Sequence, residues 1–526
     1  MAVLPQLNQQ WNNLYTTNST PFHYAFLVSL FLLSVLLLLI CRRSSGVKFN
    51  LPPSPSKFPV VGNLHHLGSL PHRSLREVAR KYGHDLMLLH LGQAPTLVVS
   101  SADMLREIVK SHDIVFSNRP KTTAAHILLY GCKDVGFAPY GEYWRQVRKV
   151  SVVELLGMKR VLQFQFVRDQ EVSMMVNRIR KACVNGASIN LSDMIISISN
   201  NIVSRCVLGH CFEEEDGTSR FGKLGRRLMT HFAEFSVGDF FPYMRWIDVV
   251  RGFIGRLKAT FGELDAFYDE VVEEHKARFE SDSGKSHIKD FVDILLRLQK
   301  DKMLDFNLTK NDLKAILMDM YVGATDTTAS SLEWLMAELI RHPNVMKKVQ
   351  EEVRRVVGKN TKIEMNDINK MEYLNCVIKE NLRLHPPAPL LVPRETTKNI
   401  EIGGYHIPAK TRVLINAWAI QRDPRLWDRP EEFIPDRFLN NSVDFKGQDV
   451  HFIPFGVGRR GCPGMSFGVA STEFVIANLL YWFDWKLPED GVLGKKNMDM
   501  SEVNGLTVHR KFALHLVPIP YYSNAA

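Results

Sequence analysis

Charged and apolar residues are distributed differently in the first part of the chain and in the rest. No Asp, Glu, Lys or Arg occurs in residues 1–41, and residues 24–41 form an unbroken, strongly apolar run. Farther along, apolar residues recur mostly at helical spacing. Short strand-like segments cluster at residues 84–100, 392–415 and 505–517. This pattern predicts a mainly α-helical body with small β-sheets, preceded by one apolar segment.

The apolar run is long enough to cross a membrane once, since 18 residues of helix span about 27 Å. Arg42, Arg43 and Lys48 follow the run, whereas a cleaved signal peptide has its basic residues ahead of a shorter apolar core. The run is apolar on all faces, which favours a membrane span over a buried core helix. The sequence therefore predicts a transmembrane anchor over residues 24–43, with residues 1–23 in the lumen and the rest in the cytosol.

A proline-rich stretch follows the predicted anchor. Four prolines lie between residues 52 and 59, and proline both fixes φ and removes a backbone donor. This stretch should therefore be extended and semi-rigid. We interpret residues 44–64 as a neck and residues 65–526 as one large domain, because no Gly/Ser linker or internal repeat interrupts the body.

The longest predicted helix begins at Thr309. Asp312 completes a capping-box pattern, and the next proline is Pro343. A length of about 32 residues is nearly three times that of a mean helix, so this helix should cross the whole core. Its middle holds residues 323–328, Gly-Ala-Thr-Asp-Thr-Thr, most of which are poor helix formers. Such a conflict within a core helix indicates function, the alternative being a solvated polar face.

A second candidate functional segment is residues 455–464, whose sequence is FGVGRRGCPG. Three glycines ahead of Cys462 allow a tight turn whose backbone approaches a flat ligand closely. Pro463 suits the first position of a helix, which would put Cys462 at about the N-cap. There the helix dipole and free amides should lower the pKa of the thiol and make it an anionic metal ligand. A lone cysteine is otherwise most often a small buried hydrophobe.

The composition and charge of the chain exclude several classes of protein. The chain has 526 residues, 45% hydrophobic and 23% charged, which is typical of a globular protein and not of a disordered or polytopic one. Seven cysteines without a C-x-x-C pair argue against a disulfide scaffold and a zinc ribbon. The formal charge of +10 is spread along the chain without a basic cluster, so it does not indicate nucleic-acid binding.

The glycine-rich segment resembles the signature of the cytochrome P-450 family, F-x-x-G-x-R-x-C-x-G, at every fixed position. Those positions are Phe455, Gly458, Arg460, Cys462 and Gly464. Four other segments resemble motifs of the same family. Glu380 and Arg383 match E-x-x-R, and Trp144 and Arg148 match W-x-x-x-R. Residues 435–438 resemble P-E-R-F with Asp436 in place of glutamate, and residues 323–328 resemble A-G-x-D-T-T with Ala324 where glycine is common. The anchor and neck resemble those of plant A-type members of the endoplasmic reticulum. The resemblance spans nearly the whole chain and implies the family's helical fold.

The resemblance implies a haem b cofactor. Cys462 would be the thiolate ligand of the haem iron, with Phe455 packed against its sulfur. Two anionic propionates imply cationic partners, because the planar fork of arginine pairs well with a carboxylate. Family positions nominate the indole N–H of Trp144 together with Arg119, Arg148, Arg394 and Arg460. For each arginine alone, the alternative is a surface charge.

Two further groups of residues have roles implied by the resemblance. Asp326 and Thr327 resemble the acid and alcohol that deliver protons during oxygen activation. Glu380, Arg383 and Arg437 resemble a structural Glu-Arg-Arg triad that fixes the region of the cysteine. The i, i+3 spacing of the first two suits an ion pair on one helix face.

The chain has no dinucleotide fingerprint and no flavin motif, so it cannot take electrons from NADPH by itself and requires a partner. The resemblance implies that this partner is a separate NADPH-cytochrome P-450 reductase. Basic residues near the cysteine suit docking of an acidic partner, and they are Arg145, Lys149 and Arg459. Family positions place mostly apolar substrate contacts at Tyr321, Val322, Ala324, Ala388, Leu390, Leu391, Val392, Leu506 and Thr507.

The function implied by the resemblance is a monooxygenase of the endoplasmic reticulum membrane. It would use O2 and NADPH to insert one oxygen atom into a small lipophilic metabolite of plant specialised metabolism. One alternative is a haem-thiolate dehydratase or isomerase, for example acting on an aldoxime. Another is a haem-binding carrier or sensor without turnover. Asp326 and Thr327 weigh against both alternatives because proton delivery serves oxygen activation.

Overall fold

The computed structural model describes residues 24–36, 49–184, 186–211, 220–281, 290–301, 303–360, 362–488 and 498–521. The chain forms two compact units, Met1–Asn50 and Leu51–Ala526. In the first unit, helix α1 covers residues 24–36. Residues 1–23 and 37–43, which belong to the predicted lumenal segment and anchor, lie outside the described residues. No helix in the described part of the chain has the length and hydropathy of a membrane span.

Helices make up most of the second unit, as the sequence predicts. In chain order they are α2 (Pro71–Tyr82), α3 (Ala102–Ser111), α4 (Thr123–Leu128), α5 (Glu142–Lys149), α6 (Met158–Gln163), α7 (Gln165–Cys183), α8 (Leu191–Leu208), α9 (Arg220–Ala233), α10 (Val237–Phe240), α11 (Trp246–Val250), α12 (Phe253–Ser281), α13 (Phe291–Lys300), α14 (Lys310–Arg341), α15 (Pro343–Val357), α16 (Met365–Ile368), α17 (Glu372–Leu384), α18 (Ala417–Ile420) and α19 (Met465–Trp482). A π-helical turn, Val150–Leu155, follows α5, and short 3-10 turns lie at Leu64–His66, Pro242–Met244, Pro435–Phe438 and Gly458–Arg460.

The strands are short and form small sheets. They are β1 (Leu86–Leu91), β2 (Ala94–Val99), β3 (Ile189–Asn190), β4 (Arg394–Glu395), β5 (Ile400–Ile402), β6 (Tyr405–Ile407), β7 (Arg412–Ile415), β8 (Phe483–Lys486), β9 (Glu502–Val503), β10 (His509–Arg510) and β11 (His515–Pro520). One sheet has the order β1-β2-β7-β4, with β2 and β7 parallel and Val98 opposite Leu414. Another has the order β3-β11-β8, while β5 pairs with β6 and β9 with β10. The prediction of a mainly helical body with small sheets is confirmed.

The central helix, α14, has the bounds that its capping pattern predicts. The side chain of Thr309 accepts a hydrogen bond from the Asp312 N–H, and the Asp312 carboxylate accepts one from the Thr309 N–H at 2.9 Å. Most of its side chains are buried, and α14 packs against α8, α17 and α19. Each fully buried large apolar side chain contributes about 1.5–3 kcal/mol. Tertiary packing therefore offsets the weak helix formers at residues 323–328, and the helix is continuous through them.

The proline-rich stretch is bonded into the second unit. The N–H of Leu88 donates to the Pro53 carbonyl at 2.9 Å, and the N–H of Asn63 donates to the His90 carbonyl at 2.6 Å. These bonds attach it to β1. The larger unit therefore begins at Leu51 and includes most of the predicted neck.

Candidate active site

The cysteine loop, residues 455–464, is closed by its own backbone. The N–H of Cys462 donates to the Phe455 carbonyl at 2.8 Å. Gly458 has φ of +67°, and a Cβ there would lie 2.8 Å from Oδ1 of Asp113. Glycine is therefore required at this position both for its left-handed backbone and for the close approach of the carboxylate.

Two predictions about Cys462 are wrong. Helix α19 begins at Met465 and its N-cap residue is Gly464, so Cys462 precedes the helix terminus. Burial raises the pKa of the Cys462 thiol and outweighs the lowering by the Gly464 N–H and by Arg148. The pKa is not lowered as predicted, because the free energy lost on desolvating a thiolate is larger than the stabilisation that one amide and one cation provide. The thiolate of Cys462 would gain the missing stabilisation from a metal cation bound to it.

Cys462 faces a cavity of about 320 Å³ in the interior of the second unit. The walls are mostly apolar and come from α14, the segment after α17, the cysteine loop and the start of α19. The predicted site residues that line it are Arg119, Arg148, Val322, Ala324, Thr327, Ala388, Leu391, Val392, Arg394, Phe455, Arg460, Cys462, Leu506 and Thr507. Residues from distant parts of the sequence therefore meet around one thiol.

The arginines of this cavity differ in their partners. Arg460 donates to three backbone carbonyls at 2.5–3.2 Å, and Arg119 to three at 2.6–2.8 Å. Arg394 donates to the carbonyl of Val457 at 2.5 Å and to a carboxylate oxygen at 3.3 Å. Arg148 has no hydrogen-bond or ion-pair partner among the described residues and faces the cavity. Its guanidinium is therefore available to a bound anion.

The cavity has an excess of positive charge. Asp113 pairs with Arg394 at 3.3 Å, while Asp134 is the acidic neighbour of Arg119 and Arg460. Burial and the charge of Arg394 lower the pKa of Arg460 to about 9. Burial and the charge of Arg460 likewise lower the pKa of Arg119. An apolar cavity with one thiol and clustered guanidinium groups fits a flat apolar ligand that has a metal and anionic carboxylates, as haem has.

The predicted proton-delivery residues point in different directions from α14. Thr327 lines the cavity, and its hydroxyl donates to the Gly323 carbonyl at 2.7 Å. Asp326 does not line the cavity, and its Oδ2 lies 3.2 Å from Nε2 of His509. Successive residues of a helix are about 100° apart around its axis, so neighbours face different surroundings. The alcohol therefore faces the cavity while the acid faces β10.

Glu380, Arg383 and Arg437 form one network. Arg383 donates to both carboxylate oxygens of Glu380, at 2.7 and 2.9 Å, and Arg437 donates to Oε1 at 3.0 Å. The N–H of Ile434 donates to the same oxygen at 2.8 Å. Asp436, which stands where glutamate is usual, instead accepts hydrogen bonds from a lysine and a tyrosine. The network ties α17 to the 3-10 turn that carries Arg437.

Three predicted contacts lie outside the cavity wall. The Trp144 indole N–H donates to a backbone carbonyl at 3.0 Å, and the guanidinium carbon of Arg460 lies 4.2 Å from the Trp144 ring centroid. The Tyr321 hydroxyl bonds to the Asn200 side chain at 3.1 Å, on the α8 side of α14. Leu390 packs against the apolar side chains of α2, β1 and β2. Motif spacing places such residues near the site but does not determine which face of the backbone they occupy.

The sequence did not reveal a pair of carboxyl groups, of which Asp134 is buried and Asp319 is half-buried at the cavity. Asp319 lines the cavity, and its Oδ2 accepts two consecutive backbone N–H groups at 2.5 and 3.1 Å. Asp134 accepts the Phe137 N–H at 2.6 Å. Burial raises the pKa of Asp134 to about 6, and burial together with the charge of Asp134 raises that of Asp319. The one available signal was the spacing of Asp319, two helical turns before Asp326.

Comparisons with known proteins find similarity over almost the whole chain. The family model Cytochrome P-450 matches residues 52–515. Phenylacetaldehyde oxime monooxygenase CYP71AN24 of Prunus mume is 54% identical over 528 aligned residues, covering 99% of this chain and 100% of that protein. Cytochrome P-450 71A1 of Persea americana is 55% identical over 458 residues, covering 87% of this chain and 91% of that protein.

A solved structure of a zebra fish cytochrome P-450 with abiraterone has the same fold. Its TM-score is 0.71 at 23% identity, and the match covers 86% of this chain and 100% of that one. The family model spans most of the chain, and the relatives match almost end to end. The chain therefore belongs to the cytochrome P-450 family of haem-thiolate monooxygenases.

Proposed function

We propose that this monooxygenase inserts one atom of O2 into a small lipophilic plant metabolite, with an aromatic aldoxime as the leading substrate class. The observation that carries the proposal is the mostly apolar cavity next to Cys462, with the Thr327 hydroxyl in its wall. A buried apolar cavity with few polar groups selects a lipophilic ligand. The 54% identical relative from Prunus mume is a phenylacetaldehyde oxime monooxygenase, which supports the choice of an oxime.

The residues of the cavity would hold the haem by two kinds of contact. Cys462 would bind the iron through its sulfur, and Phe455 in the same wall would limit access of water to that sulfur. Arg148, which has no partner among the described residues, would pair with a propionate. Arg394, Arg460 and Arg119 would complete the cationic surroundings. When bound, the haem supplies the activation of O2 and the transfer of oxygen.

Thr327 and Asp326 would hold and move protons. The Thr327 hydroxyl is both a donor and an acceptor, and in this structure it donates to a backbone carbonyl within its own helix. A hydroxyl that rotates away from that carbonyl can donate into the cavity and accept a replacement proton. Asp326, the preceding residue, would supply that proton from the other side of α14.

An aromatic substrate suits the wall that Phe137 and Phe232 form. Their rings are stacked with centroids 5.4 Å apart and planes 4° apart, and both line the cavity. Aromatic faces favour offset-stacked or edge-to-face contact with another ring. Val322, Leu391 and Leu506 add further apolar residues to the lining of the cavity. These contacts would orient a phenyl group while its polar end remains free to react.

We also propose the membrane arrangement and the partner that the sequence predicts. Residues 24–43 would anchor the chain in the endoplasmic reticulum membrane, with residues 1–23 lumenal and residues 65–526 forming the cytosolic haem domain behind the neck at 44–64. A separate NADPH-cytochrome P-450 reductase would supply electrons. Exposed basic side chains that suit its docking are Arg145, Lys149 and Arg459.

The test is turnover of phenylacetaldehyde oxime by the full chain with a reductase in lipid vesicles, using isotopically labelled O2. Mass spectrometry should find the label in the product, and formation should require NADPH. Loss of water without label or NADPH would instead identify the dehydratase. Haem binding without any product from this oxime or from a panel of plant metabolites would identify the carrier or sensor.

A further inference from the structure

His509 on β10 lies beside Asp326 on α14. Its Nε2 is 3.2 Å from Oδ2 of Asp326, and the two side chains are 36% and 29% exposed. Asp326 directly precedes Thr327, whose side chain lines the cavity. His509 is therefore in contact both with solvent and with the acid of the proton-delivery pair.

The position of His509 is set by backbone contacts next to it. The carbonyl of Val508 accepts hydrogen bonds from the Ser330 hydroxyl at 2.9 Å and from the Trp334 indole N–H at 3.3 Å. The N–H of Val508 donates to the Pro387 carbonyl at 2.9 Å. Two of these bonds tie the residue that precedes β10 to α14, which places the backbone of His509 beside the helix that carries Asp326.

The carboxylate oxygen nearest to His509 is not satisfied. Oδ2 of Asp326 is buried and has no aligned hydrogen-bond partner among the described residues. Its 3.2 Å contact with the imidazole is an ion-pair contact whose angles fall short of a hydrogen bond. Buried carboxylate oxygens are normally paired, and exceptions indicate a functional role or a bridging water. A small rotation of either side chain would align the two for proton transfer.

The charged groups around His509 together raise its pKa from the usual value of histidine, which lies near neutral pH. Asp326 and Glu333 face it from α14, Arg226 faces it from α9, and β9 places the apolar Val503 opposite. Burial and Arg226 lower the pKa of His509, but Asp326 and Glu333 raise it by more. Histidine is the side chain that both gains and loses a proton readily in this pH range.

We propose that His509 is a proton-positioning residue, which receives protons from solvent and passes them to Asp326 for use at Thr327. In this step the Nε2–H bond breaks, an O–H bond forms at Oδ2 of Asp326, and the neutral imidazole is protonated again from water. No electrons move. The proposal rests on the roles proposed above for Asp326 and Thr327.

The alternative is that His509 only holds β10 to α14. Three substitutions separate the two roles. His509→Gln removes the proton carrier, whereas His509→Lys keeps a positive charge that pairs with Asp326 but releases its proton too rarely to relay it. His515→Gln changes an exposed histidine on β11 and serves as the matched control.

The first measurement needs no turnover. Histidine C2 hydrogen–deuterium exchange, read by mass spectrometry on the full chain, reports the titration of each imidazole. We expect His509 to titrate above the usual histidine value of about 6.5, and we expect Asp326→Asn to lower the pKa of His509. Titration of His509 at or below that usual value, or no response to Asp326→Asn, would overturn the proposal.

The second measurement is coupling, defined as product formed per NADPH consumed, as a function of pH. Wild type should lose coupling as pH rises through the pKa of His509, because the protonated form is the donor. Both His509 variants should lose coupling on the order of tenfold and show no such pH dependence, while His515→Gln should match wild type. This loss is smaller than the ~10²–10⁴-fold loss expected on removal of a group that acts directly as general acid or base. The reason is that water still reaches Asp326 without His509.

The outcomes separate this proposal from the one on which it rests. Wild-type coupling in His509→Lys would assign His509 a structural role and overturn the relay. Wild-type coupling in His509→Gln, together with impaired coupling in Thr327→Ala, would also overturn only the relay. Unchanged coupling in Thr327→Ala and Asp326→Asn would overturn both proposals.

Discussion

Replacing Glu380 by alanine tests whether the buried Glu-Arg-Arg network holds the haem domain together. Glu380 accepts four hydrogen bonds at 2.7–3.0 Å, two from Arg383 and one each from Arg437 and the Ile434 N–H. The side chains of Glu380 and Arg383 are 0% exposed. The substitution therefore leaves a guanidinium buried without its carboxylate.

The cost follows from that uncompensated charge. Removing one partner of a buried ion pair costs about 3–5 kcal/mol, against a typical folding free energy of ~5–15 kcal/mol. The Ile434 N–H also loses its acceptor, which adds to the cost. Because haem retention depends on the folded domain, the fraction of chains that hold haem should fall with stability.

Two measurements check the effect, namely the urea midpoint from tryptophan fluorescence and the carbon monoxide difference absorbance of the reduced protein. Glu351→Ala is the control, because the Glu351–Lys347 pair is exposed and 3.9 Å long and should contribute at most about 1 kcal/mol. Glu380→Leu combined with Arg383→Met removes both charges and should recover part of the loss. Recovery should be incomplete because Arg383 also donates to three backbone carbonyls. A Glu380→Ala protein with the urea midpoint and absorbance of the control would refute this reasoning.

Three further predictions address the cavity and the anchor. Thr327→Ala should bind substrate normally but yield about tenfold less product per NADPH, with peroxide making up the difference; unchanged product yield would remove Thr327 from the mechanism. Asp134 and Asp319 have raised folded-state pKa values, so wild type should lose stability as pH rises from about 4 through about 6. Asp319→Asn removes one of these like charges, and its urea midpoint should change less over this range; an unaltered pH profile would show that the two carboxyls do not interact. Carbonate extraction should leave the full chain in the membrane fraction, and its release would contradict an anchor at residues 24–43.

Local signals predicted those parts of the fold that depend on local physics. The bounds of α14 follow from the hydrogen bonds of Thr309 and Asp312 and from Pro343, and the structure has the same bounds. The strand-like segments at 84–100 and 392–415 hold β1, β2 and β4 to β7. A cap, a proline and an alternation of apolar residues each act within a few positions, so one sequence is enough to read them.

Features that depend on long-range packing were not predictable in the same way. The pairing of Asp134 with Asp319 brings together two distant segments, and no local pattern marks it. The pKa of Cys462 was predicted in the wrong direction because the sequence shows nearby amides but not the extent of burial. Tyr321 was assigned to the cavity from its place in a motif, but tertiary packing turns it toward Asn200.

The way the main chain is held around Val508 bears on how substrate preference can evolve in this protein. The backbone of Val508 makes the hydrogen bonds that locate this segment. Its carbonyl accepts from the side chains of Ser330 and Trp334, and its N–H donates to the Pro387 carbonyl. The two residues before Val508, Leu506 and Thr507, line the cavity. Exchanges at those two positions can reshape the cavity while the hydrogen bonds that locate the strand persist. New substrates are thus accessible through single-residue changes that leave the scaffold in register.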